Sequence, residues 1–333
     1  MAVRAELLKN IRSVEPYVPG EQPREKVIKL NTNENPYPPA PGVQAALDSL
    51  DTADFRLYPD PASSALVRSL AEDLMGQRRI PDVLSLCFLT FFNSEKPILF
   101  PDITYSFYKV WAELYRIPYE CPALDGDFRI VKEDYYRENG GIIFPNPNAP
   151  TAIYEELDFI EDILEHNRDS IVIVDEAYVD FAGRSAMELI GKYDNLIVTQ
   201  TFSKARSLAG MRIGYAISNP DLIRCLNDVK YSFNSYTMSR AAIVCGSAAV
   251  EDRAYFEKSV RRIKETRERT KEELVKLGFE FTDSKANFLF ARHPRYDGGR
   301  LFRELRDANI YVRHWDDERI GQYLRITVGT DEE

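Results

Sequence analysis

Five short apolar runs in the middle of the chain constrain its architecture more than any other feature. They are PILFP at 97–101, GIIFPNP at 141–147, IVIVDEAY at 171–178, LIVTQ at 196–200 and IGYAIS at 213–218. Most are rich in β-branched residues and lack polar/apolar alternation. A half-buried strand alternates, whereas a strand covered on both faces reads as a continuous apolar run, the pattern of a parallel sheet. Helix-like segments, YSFYKVWAELY at 105–115 and YEELDFIEDILEHN at 154–167, lie between the runs. Strand–helix–strand alternation predicts an α/β layer structure with right-handed crossovers. Ligands of such sheets sit at the carboxyl ends of the strands. That rule puts Asn148, Asp175, Tyr178 and Lys204 on one rim, because each follows an apolar run.

The flanks read differently. Residues 1–40 begin as an amphipathic helix and continue as a Pro-rich arm, NTNENPYPPAPG at 31–42. Proline at this density forces extended or turn backbone, so the arm lies across another surface. Residues 43–75 are helical in pattern, broken at YPDP (58–61). After residue 250 comes one long charged helix, 251–278, then apolar strands near 287–291, 310–313 and 323–329 around a helix at 300–309. The expected division is an N-terminal helix and arm at 1–40, a large domain at 41–250 and a small α+β domain at 251–333.

With 333 residues, 44% of them hydrophobic, the chain can bury a large core. Its formal net charge of −10 is spread along its length, which argues against non-specific nucleic-acid or anionic-membrane binding. No apolar run approaches about 18 residues, so no membrane span is expected. The four cysteines and three histidines show no metal-like spacing. Reduced thiols, a cytoplasmic location and no metal are therefore expected.

On the rim, Asp175 ends the strand IVIVD, where a buried carboxylate needs a partner. It is either one half of a salt bridge or helix cap, or the counter-ion of a protonated heterocyclic nitrogen. Lys204, in TFSK (201–204), is either a surface residue or an amine kept for covalent chemistry. Tyr178, Asn148 and Ser203 are each ordinary alone. Arg212 stands near Gly210 and Gly214, residue types that admit a close ligand, and its guanidinium suits a phosphate or carboxylate. Pyridoxal phosphate needs a lysine for its Schiff base and a carboxylate at its ring nitrogen, with donors at its phenolate oxygen and phosphate. Lys204, Asp175, Tyr178 with Asn148, and Ser203 with Arg212 supply that set.

VDEAY (174–178), TFSKARSLAGMRIGY (201–215) and PNPNAPT (145–151) resemble the aspartate-aminotransferase-fold superfamily of class I/II pyridoxal-phosphate enzymes (fold type I). LNTNENPYPP (30–39), LYPDP (57–61), PDITYSFY (101–108), ANFLFAR (286–292) and YLRITVGT (323–330) narrow the resemblance to the histidinol-phosphate group of aminotransferases. The resemblance implies a homodimer that transaminates histidinol phosphate with glutamate and 2-oxoglutarate in histidine biosynthesis. It implies Lys204 as cofactor lysine and base, Asp175 at the ring nitrogen, Tyr178 and Asn148 at the phenolate oxygen, and Tyr105 stacked on the ring. Ser203, Arg212 and Tyr58 of a second subunit would hold the cofactor phosphate. Arg325 would face a substrate anion, with Asn33 and Tyr37 lining the pocket.

One stretch departs from the family. LAEDLMGQRRIPDVLSLCFLTFF (70–92) keeps the following helix but lacks the family's strand and glycine turn, and Gly76 follows no apolar strand. That turn's N–H groups cradle phosphate. Arg78, Arg79 and a shifted helix start are the residues placed to compensate. The last family helix is also expected to be missing after VGTDEE (328–333). A phospho-amino-acid lyase or decarboxylase, an aromatic aminotransferase and a cofactor-free relic are the competing functional readings.

Overall fold

The computed structural model describes residues 9, 11–23, 25–73, 79–81 and 83–333. Most of the expected N-terminal helix, Gly76 and the compensating Arg78 lie outside the described residues, as does the side chain of Arg79; residues 11–14, which are described, are not helical.

Strand β1 (Ile28–Lys29) precedes helices α1 (Pro41–Asp48) and α2 (Ser64–Asp73), which are joined through a 3-10 turn at Thr52–Arg56. Then come β2 (Arg79–Pro81), β3 (Ile98–Leu99), β4 (Tyr119–Glu120), β5 (Ile142–Pro145), β6 (Val172–Asp175), β7 (Leu196–Thr201) and β8 (Gly214–Ile217). Helices α3 (Leu84–Phe91), α4 (Phe107–Tyr115) and α5 (Leu157–His166) are the crossovers among them. The seven strands form one sheet in the order β2-β8-β7-β6-β5-β3-β4. Every residue of β5 and β6 is buried, as unalternating runs require.

Two sequence expectations change here. IGYAIS does not become a parallel strand: β8 pairs antiparallel with β7, Thr201 opposite Gly214. Its connection, residues 202–213, holds no crossover helix, only a 3-10 turn at Ala209–Met211, and returns as a hairpin. The stretch read as lacking a strand forms a three-residue edge strand, β2, antiparallel to β8 with Ile80 opposite Ala216. RRIP is short and interrupted by proline, so no periodicity announces it, and an edge strand tolerates Pro81 because one side needs no ladder.

Helices α6 (Pro220–Phe233) and α7 (Arg240–Glu251) lead into the long α8 (Arg253–Lys276), started by the Asp252 side chain and followed by Gly278 at φ +84. Beyond it β9 (Glu280–Phe281), β10 (Phe288–Arg292), α9 (Gly298–Asp307), β11 (Ile310–Tyr311) and β12 (Tyr323–Thr327) build a second layer. Its antiparallel sheet runs β12-β10-β9. The N-terminal arm joins this layer, because β1 pairs parallel with β11 and the Thr327 N–H donates to the Leu30 carbonyl. From that anchor residues 31–37 run toward the strand ends of the large sheet. No helix among the described residues is long and apolar enough to cross a membrane.

Candidate active site

The hairpin register explains the lysine loop. With Thr201 opposite Gly214, the chain continues as a tight return in which Phe202 and Ser203 lead out and Arg212 and Ile213 lead back. The loop is folded back on itself: Phe202 N–H donates to the Ile213 carbonyl (2.9 Å) and Leu208 N–H to the Phe202 carbonyl (3.0 Å). Thr201 fastens its base, its Oγ1 donating to the Ile213 carbonyl (3.1 Å) and accepting from the Ser203 N–H (3.1 Å). Arg212 adopts φ +55, left-handed backbone that few side chains take up. Lys204 leaves the loop toward the arm, where its Nζ donates to the Thr32 carbonyl (3.3 Å) and lies 5.6 Å from the Tyr178 ring centroid.

Asp175 ends β6 and is 4% exposed. One carboxylate oxygen, Oδ2, accepts from Tyr108 Oη at 2.7 Å. The other, Oδ1, meets Thr199 Oγ1 at a longer 3.5 Å. Burial pushes its carboxyl up to about 6, a shift limited by Tyr108, the Ala177 N–H, Thr199 and the charge of Lys204. The next residue, Glu176, is a buried carboxyl with a different purpose. It accepts from Ser185 Oγ (2.5 Å), the Ala186 N–H (2.6 Å) and Gln200 Nε2 (2.8 Å), and burial raises it to about 7.

Tyr178 has its phenol oxygen fixed by Asn33, whose Nδ2 donates to it at 2.9 Å. Because that oxygen accepts from Asn33, its own proton remains available to a further acceptor. Asn33 is held in turn: its N–H donates to Thr327 Oγ1 (3.0 Å) and its carbonyl accepts from Asn287 Nδ2 (3.1 Å). Asparagine is one of the few side chains suited to its φ of +56.

Lys204, Tyr178, Tyr105, Asn33 and Arg325 all line one cavity of about 400 Å³, to which Arg313 and Trp315 also contribute. Asp175 stands behind this lining, close enough that its charge raises the Tyr105 phenol. At the far end Arg325 Nη2 donates to the Asn31 carbonyl (2.8 Å), and its guanidinium lies 5.4 Å from the centroids of both Phe288 and Trp315. Among the described residues its buried Nε has no hydrogen-bond partner. Arg313 stands opposite it in an antiparallel bridge, its guanidinium 5.6 Å from the Trp315 centroid. Burial, with Arg313 as a like charge, lowers the Arg325 pKa. The cavity is thus locally cationic in a chain whose net charge is −10.

Three expected site residues are placed otherwise. Asn148 has both amide hydrogens engaged, by the Ile103 carbonyl and Thr151 Oγ1 (3.0 Å each), while Thr104 Oγ1 donates to its Oδ1 (2.9 Å). It knits three loops together and keeps no donor for a phenolate. Tyr37 does not line the cavity: its ring packs under the Arg262 guanidinium (4.3 Å) on α8. The arm turns at Asn35, whose side chain caps the Tyr37 N–H (3.0 Å), and this carries Tyr37 past the cavity. Tyr58 is 78% exposed and stacks on Tyr236 at 4.5 Å, outside the cavity of its own chain.

The sequence reading missed Tyr108, Thr199 and Arg313. Tyr108 carried a usable signal, since it lies three residues after Tyr105 on the same side of a helix start. Arg313 carried none, because only the bridge between distant strands sets it beside Arg325.

The donor set fits a flat heterocycle with a phosphate tail. It holds an amine, a buried carboxylate with an under-used oxygen, a phenol with a free proton and a flanking ring, Tyr105. For the tail the lysine loop offers the Ser203 hydroxyl and the exposed Arg212 guanidinium, which here donates to the Ala209 carbonyl (3.2 Å); neither lines the cavity. A second groove, about 640 Å³, includes Phe128, Tyr154, Thr282 and Tyr323, but its cations are already paired: Arg129 with Glu155, Lys285 with Asp283, Arg292 with Glu280. It offers no comparable set of open groups.

The family signature Aminotransferase class I and II matches residues 25–333. A histidinol-phosphate aminotransferase of Lactococcus lactis subsp. lactis is 50% identical over 332 residues, spanning 97% of this chain and 92% of its own. One from Chromohalobacter salexigens is 50% identical over 330 residues, spanning 97% and 94%. The crystal structure of histidinol-phosphate aminotransferase from Sinorhizobium meliloti in complex with pyridoxal-5'-phosphate superimposes with a TM-score of 0.83 at 22% identity. It covers 92% of this chain and 88% of that one. The α/β arrangement described above is the fold of these enzymes.

Proposed function

Because the chain belongs to the class I and II aminotransferase family, we propose that it converts histidinol phosphate and 2-oxoglutarate into imidazole-acetol phosphate and glutamate, with pyridoxal phosphate as cofactor. The observation that carries this reading is one cavity bounded by the Lys204 amine, backed by the Asp175 carboxylate and ended by the partnerless Nε of Arg325. Relatives at 50% identity bear that substrate in their names, which favours transamination over the lyase, decarboxylase and aromatic readings. The fit of the donor set speaks against a relic.

When bound, pyridoxal phosphate supplies an aldehyde for an amine and a conjugated ring that spreads the electron pair left by a departing α-proton. The protein's residues do the rest. Lys204 Nζ anchors the cofactor and carries the α-proton between two carbon atoms. Asp175, through Oδ1, holds a positive charge on the ring nitrogen, without which the ring is a poor electron acceptor. Tyr178 donates its free proton to the phenolate oxygen, kept in place by Asn33. Tyr105 covers one ring face. Ser203 and Arg212 take the cofactor phosphate, joined by Tyr58 from a second copy of the chain. Asn148 serves by fastening the loop beneath. Arg325, with Arg313, takes the substrate's phosphate and, in the other half-reaction, a carboxylate.

A homodimer is supported by the exposed aromatic patch of Phe55, Tyr58, Phe233 and Tyr236. The division at 1–40, 41–250 and 251–333 is favoured by the seven-stranded sheet lying within 41–250 and the three-stranded sheet within 251–333. Phosphorylated substrates, which do not cross membranes freely, favour the cytoplasm.

The test is spectroscopic and kinetic. Purified with pyridoxal phosphate, the protein should show a visible absorbance band that Lys204→Ala abolishes. It should also form glutamate faster from histidinol phosphate than from phenylalanine or phosphothreonine as donor. A colourless protein, or one preferring phenylalanine, sinks the reading.

A further inference from the structure

The geometry points to Tyr108 as the positioning residue that decides which Asp175 oxygen meets the cofactor ring and keeps that carboxylate ionised. This deepens the proposed function and rests on it. Tyr108 is wholly buried, and its hydroxyl has a single partner, Asp175 Oδ2, at 2.7 Å. The ring is clamped by aromatics. Tyr105 meets it edge-on at 5.5 Å and 90°, while Phe88 and Phe100 stand at 5.9 Å. A phenol so enclosed cannot swing away, and burial beside a carboxylate raises its own proton affinity far above the ordinary range. It therefore remains a neutral, permanent donor.

The consequence lies in the asymmetry of the carboxylate. Oδ2 takes the short Tyr108 hydrogen bond, whereas the side-chain contact at Oδ1 is the longer 3.5 Å one from Thr199; the Ala177 N–H also donates to the carboxylate. A pyridinium N–H is directed to the oxygen with capacity left, Oδ1. The groups facing Asp175 are few. Cys87 lies on the α3 side, Tyr105 and Tyr108 on the α4 side, Thr199 on β7 and the Ala177 N–H beyond β6, and Lys204 is a cation acting on it. Among these, Tyr108 is the strongest stabiliser of the ionised form. Without its donation the carboxylate becomes the stronger base and draws the proton from the ring nitrogen, so the ring loses its positive charge. Because Tyr108 also abuts Tyr105, one residue sets the ring's edge contact and supports its stacking neighbour.

Tyr108→Phe keeps the aromatic packing and deletes only the donor. In the full-length protein freed of cofactor, the Asp175 carboxyl ¹³C resonance should titrate about one to two pH units higher than in wild type. Thr199→Val should move it by less than half that amount. In the holoprotein, the pyridine ¹⁵N shift of labelled cofactor should lie closer to that of a neutral ring in Tyr108→Phe than in wild type at the same pH. An unchanged Asp175 midpoint in Tyr108→Phe overturns the inference, and so does a Thr199→Val shift equal to or larger than that of Tyr108→Phe. Should Tyr108→Phe fail to fold, a Thr199→Val shift of one unit or more overturns it and a smaller one supports it. The carboxyl titration needs no cofactor, so a colourless wild-type protein would defeat the proposed function while leaving this test standing.

Discussion

The two ends of the cavity are built on opposite terms. At the Asp175 end the groups come from strand ends of the large sheet and meet partners within the protein: Tyr108 for Asp175, Asn33 for Tyr178, Ser185 and Gln200 for Glu176. At the Arg325 end the groups come from the arm and the second layer, and a buried guanidinium nitrogen is left without a partner. The difference teaches where each job lies. Groups that tune reactivity must keep one geometry and one protonation state, so they are fixed in advance. Groups that recognise an anion stay open, because the ligand supplies the missing bonds, and leaving a buried donor unsatisfied raises the gain on binding.

That contrast can be broken in four ways. Asp175→Asn should lower kcat roughly 100- to 1000-fold with a small change in KM, as expected for a group acting on developing charge. A KM effect alone would place Asp175 in recognition. Arg325→Gln should do the reverse, raising KM for both substrates about 10- to 100-fold in steady-state assays. Should kcat fall and KM stay constant, the open end would belong to the chemistry.

The third concerns pH. Asp175 and Glu176 bind protons more tightly in the folded chain, near 6 and 7, than their ordinary values of 3.8 and 4.5. The folded state therefore holds protons that the unfolded state releases between about pH 4 and 7, and stability falls as pH rises through that window. Urea midpoints of the cofactor-free protein should be lower at pH 8 than at pH 5. The fall should flatten in the Asp175→Asn, Glu176→Gln double variant, and an equal slope in both proteins would refute the assignment. The smallest effect belongs to Tyr37→Phe. Its hydroxyl is buried with no partner in good geometry among the described residues, only the Thr266 hydroxyl within weak reach, so its loss should leave stability within about 0.5 kcal/mol and kcat/KM within about twofold of wild type. A drop of about tenfold in kcat/KM would put Tyr37 back in the cavity.

Much of the strand-end half was legible in advance and little of the other half was. Asp175 and Lys204 follow apolar runs, and a parallel sheet brings its carboxyl ends to one rim whatever the details. Asn148 was legible as a rim residue but not as a loop fastener, since its amide could be assigned only once Ile103, Thr104 and Thr151 surrounded it. Tyr37 was misread because the arm's proline pattern fixes its extension but not where it turns. β2 went unseen because three residues closing on a proline carry no period.

Local chemistry in the chain thus determined the α/β sheet and the placing of Lys204 and Asp175 at strand ends, since burial and periodicity are written residue by residue. Tertiary structure decided the antiparallel return of β8 on β7, the pairing of Arg313 with Arg325, and the Tyr108 bond to Asp175. Each of these is a contact between distant segments, and its energy exists only after the intervening chain has closed. No short window of sequence contains it.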